Sequence, residues 1–238
     1  MRPARSPNRN SLERIARRLG PLLGELVFVG GHVAELLVTD DAAVRVRQTD
    51  DVDVIVRVTT RTAYHAFGQR LKALGFREDT RPGAPICRWR DPDDLALDVM
   101  PLDPAILGFS NRWYEAALRD AIPYSLGQGL VIRIPGSPLY VACKWAAFEG
   151  RAHGDVIGSH DLEDIITVVA GRPELLEELR LVEPAVGEYV ASETARFLAH
   201  PHAHDVIVGA LPDAWDDPTL LADIEARLRT IATVEGRL

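Results

Sequence analysis

Two aspartates in one short segment carry the clearest chemical signal in this sequence. Residues 49–54 are Thr-Asp-Asp-Val-Asp-Val, so Asp51 and Asp53 lie two positions apart inside a valine-rich run. Side chains two apart on a strand point to the same face, whereas aspartate is uncommon in strands and rarely buried without a partner. The pair indicates either a bound divalent cation or an acidic turn leading into an ordinary strand. The two residues alone do not separate these interpretations.

A third aspartate favours the metal site. Asp98 lies inside another short apolar run, after a predicted strand and turn. A strand carrying Asp98 beside the strand of Asp51 and Asp53 completes a cluster of three carboxylates. That cluster is the arrangement that holds two metal ions for in-line displacement at phosphorus, so the sequence predicts metal-dependent phosphoryl chemistry. Three other acids adjoin turns that contain proline and are expected to be solvated: Asp93, Asp94 and Asp103.

Two glycines precede the acids. Residues 26–29 predict a buried strand, Gly30 and Gly31 a tight turn, and residues 32–38 a short helix. Backbone amides at such a turn and helix start favour anions, and glycine lets a phosphate approach the backbone closely. We therefore expect Gly30 and Gly31 to form a turn that holds a phosphate group. Thr49 either contacts the nucleotide or simply starts the strand.

Bulk composition indicates a globular protein with one sizeable domain or two small ones. The chain has 238 residues, is 47% hydrophobic and carries a formal net charge of −8. That charge argues against a broad basic surface for non-specific nucleic-acid binding. No apolar run reaches the length of a membrane span, and the basic N-terminus lacks the apolar core of a secretory signal. We expect a cytoplasmic protein without a membrane partner.

The elements predict an α+β fold, with a mixed sheet and flanking helices followed by a helical C-terminal region. We expect an α/β core with an N-terminal helix over residues 1–135 and the helical region over residues 136–238. The N-terminal helix is predicted from Ser11 to Leu26, with some of its arginines lined up on one side, either as a solvated face, which we prefer, or as a local basic face. Further strands are expected at 45–58, 86–90, 95–100 and, at the edge of the sheet, 131–134. Further helices are expected at 60–74, 139–149, 161–170, 173–179, 183–199 and 218–234.

Lysine is rare in this chain, which makes one of its two lysines informative. Lys72 and Lys144 are the only lysines among 27 basic residues. Lys144 lies on an apolar helix, where a lone ammonium costs free energy unless it meets an anion. A compact point charge suits a phosphate. The alternative is a lysine whose ammonium reaches water from the edge of the helix.

Several remaining features have ordinary structural interpretations. Cys87 and Cys143 lie in apolar segments and are expected to be small core residues. Residues 200–205, His-Pro-His-Ala-His-Asp, predict a polar loop rather than a transition-metal site, because they lack a regular helical spacing. Arg47 and Arg57 flank the acids, where salt bridges are commoner than phosphate contacts.

In this order, the Gly30-Gly31 pair, Thr49-x-Asp51-x-Asp53 and Asp98 resemble the nucleotidyltransferase superfamily with its polymerase-beta-like palm. The Lys144 helix and the segment Ser-His-Asp-Leu-Glu-Asp-Ile at 159–165 extend the match. Together they resemble the AbiEii-type nucleotidyltransferases, toxins of type IV toxin–antitoxin and abortive-infection systems. The likeness covers residues 27–169. It departs from the family at His160, where arginine is usual, and in a long segment between the glycines and the first acid.

The resemblance implies transfer of a nucleoside monophosphate from a nucleoside triphosphate such as ATP, with release of pyrophosphate. The implied cofactor is Mg²⁺ or Mn²⁺, and the implied acceptor is a hydroxyl of tRNA or of a protein, with an antitoxin as a further partner. A small hydroxyl compound such as an antibiotic is a competing acceptor. A non-catalytic nucleotide- or RNA-binding module is the rival from another class.

The resemblance also implies roles for single residues. Asp51 and Asp53 hold the metal, and Asp98 binds metal or acts as the base. Lys144 and the two glycines hold the triphosphate. Asp161 either orients Lys144 or the acceptor, or offsets the dipole of its helix from the first turn.

Overall fold

The computed structural model describes residues 6–40, 46–151, 156–211 and 217–234. The chain divides into two compact units, the first formed by Met1–Val33 and Gln48–Pro135, the second by Ala34–Arg47 and Gly136–Leu238. The second unit thus includes a segment from within the range expected for the α/β core. The predicted α+β class is confirmed, with a mixed five-stranded sheet and a helical C-terminal region.

The first unit is built on the five-stranded sheet. The elements from the N-terminal helix to the last strand are α1 (Pro7–Leu19), β1 (Leu26–Val29), α2 (Gly31–Leu37), β2 (Asp51–Val56), α3 (Arg61–Ala73), β3 (Arg77–Glu78), β4 (Arg88–Arg90), β5 (Ala96–Pro101), α4 (Pro104–Leu107), α5 (Tyr114–Arg119), β6 (Ile122–Gly127) and β7 (Leu130–Ile134). The strand order in the sheet is β1-β2-β5-β4-β3. The central pair β2 and β5 is parallel, and the other neighbours are antiparallel. The division between the units falls within α2.

The N-terminal helix α1 begins and ends earlier than its predicted bounds of Ser11 and Leu26. Ser6 caps it by accepting a hydrogen bond from the backbone of Arg9 at 3.1 Å. The helix stops at Gly20, which adopts a φ of +35°, and a short 3₁₀ segment leads into β1. Proline at the first helical position and glycine just past the end explain these bounds.

The expected edge strand at 131–134 is wrong in its position. These residues form β7, which pairs with β6 in a separate two-stranded sheet. Gly127, Gln128 and Gly129 all have positive φ. Such a turn joins two antiparallel strands, so β7 pairs with the strand immediately before it.

The two faces of the central strands differ in chemistry. Val54 of β2 and Val99 of β5 are fully buried, as are Val52 and Leu97. Alternation along a strand places the aspartates on the face opposite these four residues. Burial of the apolar face therefore holds the two strands that carry the acids.

The second unit is helical. Trp145 packs its ring against Phe148 and Phe197, with ring centroids 6.1 and 5.9 Å away. The loop predicted at 200–205 is partly wrong, because a helix begins at Ala203. The helices are α6 (Ser137–Arg151), α7 (His160–Gly171), α8 (Leu175–Leu181), α9 (Pro184–Leu198), α10 (Ala203–Ala210) and α11 (Pro218–Ile231). Among the described residues, no helix combines the length and apolar character that crossing a membrane requires.

Replacing Ile55 by alanine should destabilise the first unit, because this β2 side chain is fully buried. We expect a loss of about 2–5 kcal/mol in the free energy of unfolding, measured by urea denaturation. The matched control is Ile86→Ala, since Ile86 is 71% exposed, and it should change stability by less than about 0.5 kcal/mol. Equal effects of the two substitutions would contradict this description of the core.

Candidate active site

The structure brings the three predicted ligands together on the central strands. Asp51 and Asp53 lie on β2, Asp98 lies on β5, and the register places Asp53 directly opposite Asp98. Asp51 shares the face of Asp53 because the two are separated by one residue. Like charges that face one another across neighbouring strands are destabilising. This face of the sheet therefore needs a compensating positive charge.

Arg88 on β4 supplies that charge, and sequence reasoning missed it. The register places Arg88 opposite Asp98 on the other side of β5. Its Nε and Nη2 atoms donate to the two carboxylate oxygens of Asp98, each at 2.8 Å, and Nη2 also donates to Asp51. The hydrogen bonds with Asp98 raise the pKa of Arg88 above its ordinary value, so the guanidinium remains charged. The signal in the sequence was an arginine between two apolar residues, Cys87 and Trp89.

Thr49 orients the first acid. Its hydroxyl donates to Asp51 Oδ1 at 3.3 Å, and its backbone amide donates to Asn8 Oδ1 at 3.1 Å. Asn8 lies on α1 and is buried. Helix α1 thus fixes the position of Thr49 just before the start of β2, and the Thr49 hydroxyl in turn orients the Asp51 carboxylate.

Gly30 makes room for the second acid. It follows β1 with a φ of +74°, and a Cβ at this position would overlap the carboxylate of Asp53. Both the backbone conformation and the close approach require glycine. Gly31 begins α2 directly afterwards. The structure therefore places the predicted glycine turn against one of the predicted metal ligands.

The three aspartates suit a hard divalent cation, although the carboxylates of Asp51 and Asp98 accept hydrogen bonds from Arg88 in this structure. Aspartate oxygens are typical ligands of Mg²⁺ and Mn²⁺, and Asp51, Asp53 and Asp98 occupy neighbouring positions on one face. Within the described ranges, no three His, Cys, Asp or Glu side chains are already arranged around a metal position. A cation fits these residues if the guanidinium of Arg88 releases Asp51 and Asp98.

Lys144 lies in a buried ion-pair network of the second unit. Its ammonium contacts Asp161 Oδ1 at 3.1 Å and Asp164 Oδ2 at 2.6 Å. Arg47 donates two hydrogen bonds to Asp164, at 2.9 and 3.1 Å, and Arg151 contacts Asp161 at 3.3 Å. Lys144 is therefore not a lone ammonium on an apolar helix: it is buried, and the anions that it meets in this structure are the carboxylates of Asp161 and Asp164.

Asp161 combines two of the roles that the sequence left open. It lies in the first turn of α7, where an acid offsets the helix dipole, and it orients Lys144 through the ion pair. Asp164, one turn later, binds both Lys144 and Arg47. Sequence reasoning underrated Asp164 because an acid near the start of a helix has an ordinary explanation. Arg47 forms a salt bridge as predicted, although its partner Asp164 lies on α7 and not on a sheet surface.

The charges around Asp164 outweigh its burial. Burial alone raises the pKa of an aspartate, but the Lys144 ammonium and the Arg47 guanidinium together hold the pKa of Asp164 below its ordinary value. The carboxylate is therefore ionised at neutral pH. Its ion pairs stabilise the folded second unit.

The other candidates have structural contacts. Asp94 pairs with Arg77 at 2.7 Å, and Asp103 caps α4 by accepting from Ala105 at 2.8 Å. Burial raises the pKa of both cysteine thiols to about 12, in keeping with core positions. Two of the three histidines of residues 200–205 contact acids: His202 contacts Asp205 and His204 contacts Glu225.

The arginines of α1 bind other parts of the first unit. Arg14 donates to Asp91 at 2.7 and 2.5 Å, and Arg17 donates to Gln128 at 2.8 Å. Arg9 donates to the carbonyl of Leu126 at 3.1 Å. These side chains anchor α1, so the expectation of a merely solvated face is incomplete. Arg2 and Arg5 lie outside the described residues.

The chain was compared with protein families, curated sequences and solved structures. No protein-family model matches the chain, and no curated protein sequence matches it. The chain is similar to the crystal structure of an antigenic nucleotidyltransferase-like protein from Paracoccidioides brasiliensis. The two have 19% sequence identity and a TM-score of 0.48, with 90% of this chain and 92% of that chain covered. We therefore infer function from the residues and contacts of this chain.

Acid should destabilise the second unit through Asp164. Because its folded pKa is lowered, its contribution to stability is complete above the ordinary value of 3.8 and is lost as the pH falls through the lower folded pKa. Asp164→Asn lacks this contribution, so its stability should fall less than that of the wild type over this range. Urea unfolding followed by far-UV circular dichroism, from about pH 6 to about pH 3, measures the difference.

The control for this measurement is Asp223→Asn, which removes an exposed acid from α11 of the same unit. It should keep the acid dependence of the wild type. An Asp164→Asn variant with an unchanged acid dependence would contradict the assigned role of the ion pairs.

Proposed function

We propose that this protein is a metal-dependent nucleotidyltransferase. The acceptor oxygen forms a bond to the α-phosphorus of a nucleoside triphosphate, while the bond from that phosphorus to the pyrophosphate oxygen breaks. One observation carries the proposal: Asp51, Asp53 and Asp98 lie on one face of paired strands, with Gly30 against Asp53. An ordinary acidic turn does not bring a distant acid, Asp98, into register with Asp53.

Each residue at this face has a defined task. Asp51, Asp53 and Asp98 are the residues that would hold Mg²⁺ or Mn²⁺. When bound, the cation neutralises the triphosphate and lowers the pKa of the attacking hydroxyl. Thr49 orients Asp51 through its hydrogen bond, and Gly30 leaves space for Asp53. Asp98 acts either as a ligand or as the base that accepts the hydroxyl proton.

The resemblance adds the groups that hold the nucleotide. Gly30 and Gly31 offer their backbone to the phosphates, and Lys144 offers its ammonium. Asp161 orients Lys144, so it is a positioning residue in this proposal. The triphosphate is a polyanion, and a lysine already held by carboxylates loses little freedom when it binds a phosphate.

The acceptor follows from the AbiEii-type resemblance. We propose a hydroxyl of tRNA or of a protein, with an antitoxin protein as the partner that restrains the activity. A small hydroxyl compound such as an antibiotic would use the same displacement at phosphorus. The three acceptor classes differ in size, and labelled products separate them directly.

A non-catalytic nucleotide- or RNA-binding module is the second candidate. The contact that favours it is the one between Arg88 and the acids Asp51 and Asp98, because a guanidinium can neutralise carboxylates without any cation. In that case the chain would retain the fold and bind nucleotide or RNA, but transfer nothing.

The test is incubation with each α-³²P-labelled nucleoside triphosphate, Mg²⁺ and total tRNA, a protein extract or no added acceptor. The wild type should transfer label, whereas Asp53→Asn should lose about 100-fold or more of the rate, because a metal ligand contributes several kcal/mol to transition-state stabilisation. Asp93→Asn is the matched control, since this side chain is 69% exposed in the same unit, and it should retain wild-type transfer.

The outcomes separate the candidate functions. Label on RNA or protein names both the base and the acceptor class. Label on a small product other than the free nucleoside monophosphate, together with released pyrophosphate, indicates a small acceptor. Nucleotide binding without transfer or pyrophosphate under any of these conditions would contradict the proposal and support the binding module.

Lys144→Met tests the role of the lysine with two readouts. Loss of the ammonium leaves Asp161 and Asp164 buried with less positive charge, so we expect about 3 kcal/mol lower free energy of unfolding. If Lys144 also holds the triphosphate, the dissociation constant of the nucleotide rises about tenfold in protein that remains folded. Urea denaturation and calorimetric titration measure the two effects.

The chain offers its own control for this experiment. Lys72→Met removes the other lysine, whose side chain is 45% exposed and pairs with Glu78 at 2.8 Å, and it should alter neither quantity appreciably. Lower stability with unchanged nucleotide affinity would restrict Lys144 to a structural role.

A further inference from the structure

We infer that Arg88 is a built-in counter-ion that competes with the divalent cation for Asp51 and Asp98 and, once displaced, binds the phosphates of the nucleotide. This inference rests on the proposed function and adds a residue to it. Neither the three-acid pattern nor the glycine turn includes an arginine, so the assignment comes from the geometry of β4.

The competition follows from which oxygens Arg88 occupies. Both carboxylate oxygens of Asp98 accept from its guanidinium at 2.8 Å, and Oδ2 of Asp51 accepts from the same Nη2. These are the oxygens that a cation between the two carboxylates would use. A cation and a guanidinium repel each other, so both cannot hold the same oxygens at full strength. Binding of the cation therefore requires Arg88 to move away.

Arg90 shows what a purely structural arginine does on this strand. It lies two residues further on β4, hence on the same face, and donates to Asp79 Oδ2 at 2.8 Å. Neither Asp79 nor its second partner, the carbonyl of Asp94, belongs to the predicted metal site. Arg88 instead bridges two predicted ligands from two strands. The contrast within one strand indicates a role of Arg88 at the site.

A displaced Arg88 stays at the site because its backbone is fixed in the sheet. β4 pairs with β5 at the position of Asp98, so the freed guanidinium remains close to the acids. Its planar group donates several hydrogen bonds and matches phosphate oxygens in a bidentate manner. The nucleotide supplies phosphate oxygens to Arg88 and some of the ligands of the cation. Arg88 therefore gains a new partner when the cation displaces it from Asp51 and Asp98.

The exchange predicts opposite effects of one substitution. Arg88→Gln frees the carboxylates, so Mn²⁺ alone should bind about tenfold tighter or more. The same variant lacks a phosphate contact, so a nucleoside triphosphate at saturating Mn²⁺ should bind about tenfold weaker. Electron paramagnetic resonance of free Mn²⁺ measures the first affinity, and calorimetric titration measures the second. A distorted site would weaken both affinities together.

Two further variants make the experiment decisive. Arg90→Gln removes the same charge from the same face of β4, and both affinities should stay at the wild-type value. Arg88→Lys keeps the charge but not the fork of donors. It should bind Mn²⁺ with an affinity between those of the wild type and Arg88→Gln, and it serves as the test if the glutamine variant does not fold.

The results distinguish failure of this inference from failure of the proposed function. If the wild type binds Mn²⁺ and Arg88→Gln binds it equally or more weakly, Arg88 does not compete and the inference is overturned. If neither protein binds Mn²⁺, the metal-dependent function falls together with the inference. Tighter Mn²⁺ binding with unchanged nucleotide affinity overturns the phosphate contact alone.

Discussion

The central pair of strands depends on how its acids are neutralised. β2 and β5 pair in a register that sets Asp53 against Asp98, and such a pair repels. The strands nevertheless stay together because their opposite face is apolar and buried, and because β4 places Arg88 beside Asp98. In the sheet order β2-β5-β4, the first two strands therefore carry the acids and the third carries the arginine that neutralises Asp51 and Asp98. The fold and the candidate site depend on one arrangement.

The two units neutralise acids to different degrees. In the second unit, Asp161 and Asp164 are surrounded by Lys144, Arg47 and Arg151, so positive charge is at least equal to negative charge. In the first unit, among the described residues, Asp51 and Asp98 share Arg88 as their basic partner. A balanced network stabilises a fold, whereas a network with excess negative charge retains affinity for a further cation. Under the proposed function, this difference favours the first cluster as the cation site.

Sequence patterns predicted the features that depend on residues close together in the chain. Period-two and helical patterns located most strands and helices, and Asp51 and Asp53 followed from two positions separated by one residue. What was mispredicted or missed depends on which strands pair, and those pairings are set by a turn in one case and by sheet register in the other. The partner of β7 is decided by a turn at residues 127–129, and the role of Arg88 is decided by register across β5. An arginine in a short strand has many possible partners, and only the sheet selects Asp98 and Asp51.

The contact between Arg88 and the two acids bears on both candidate functions, because the free energy of replacing the guanidinium by a cation differs in sign between them. In an enzyme, the free energy of replacing the guanidinium by a divalent cation must be favourable when nucleotide is present. In a binding module, the same exchange is unfavourable and the ion pairs persist. The number of acids cannot decide between them, since the acids are the same in both cases. The deciding quantity is the exchange free energy at Asp51 and Asp98, which the chain sets through the position of β4.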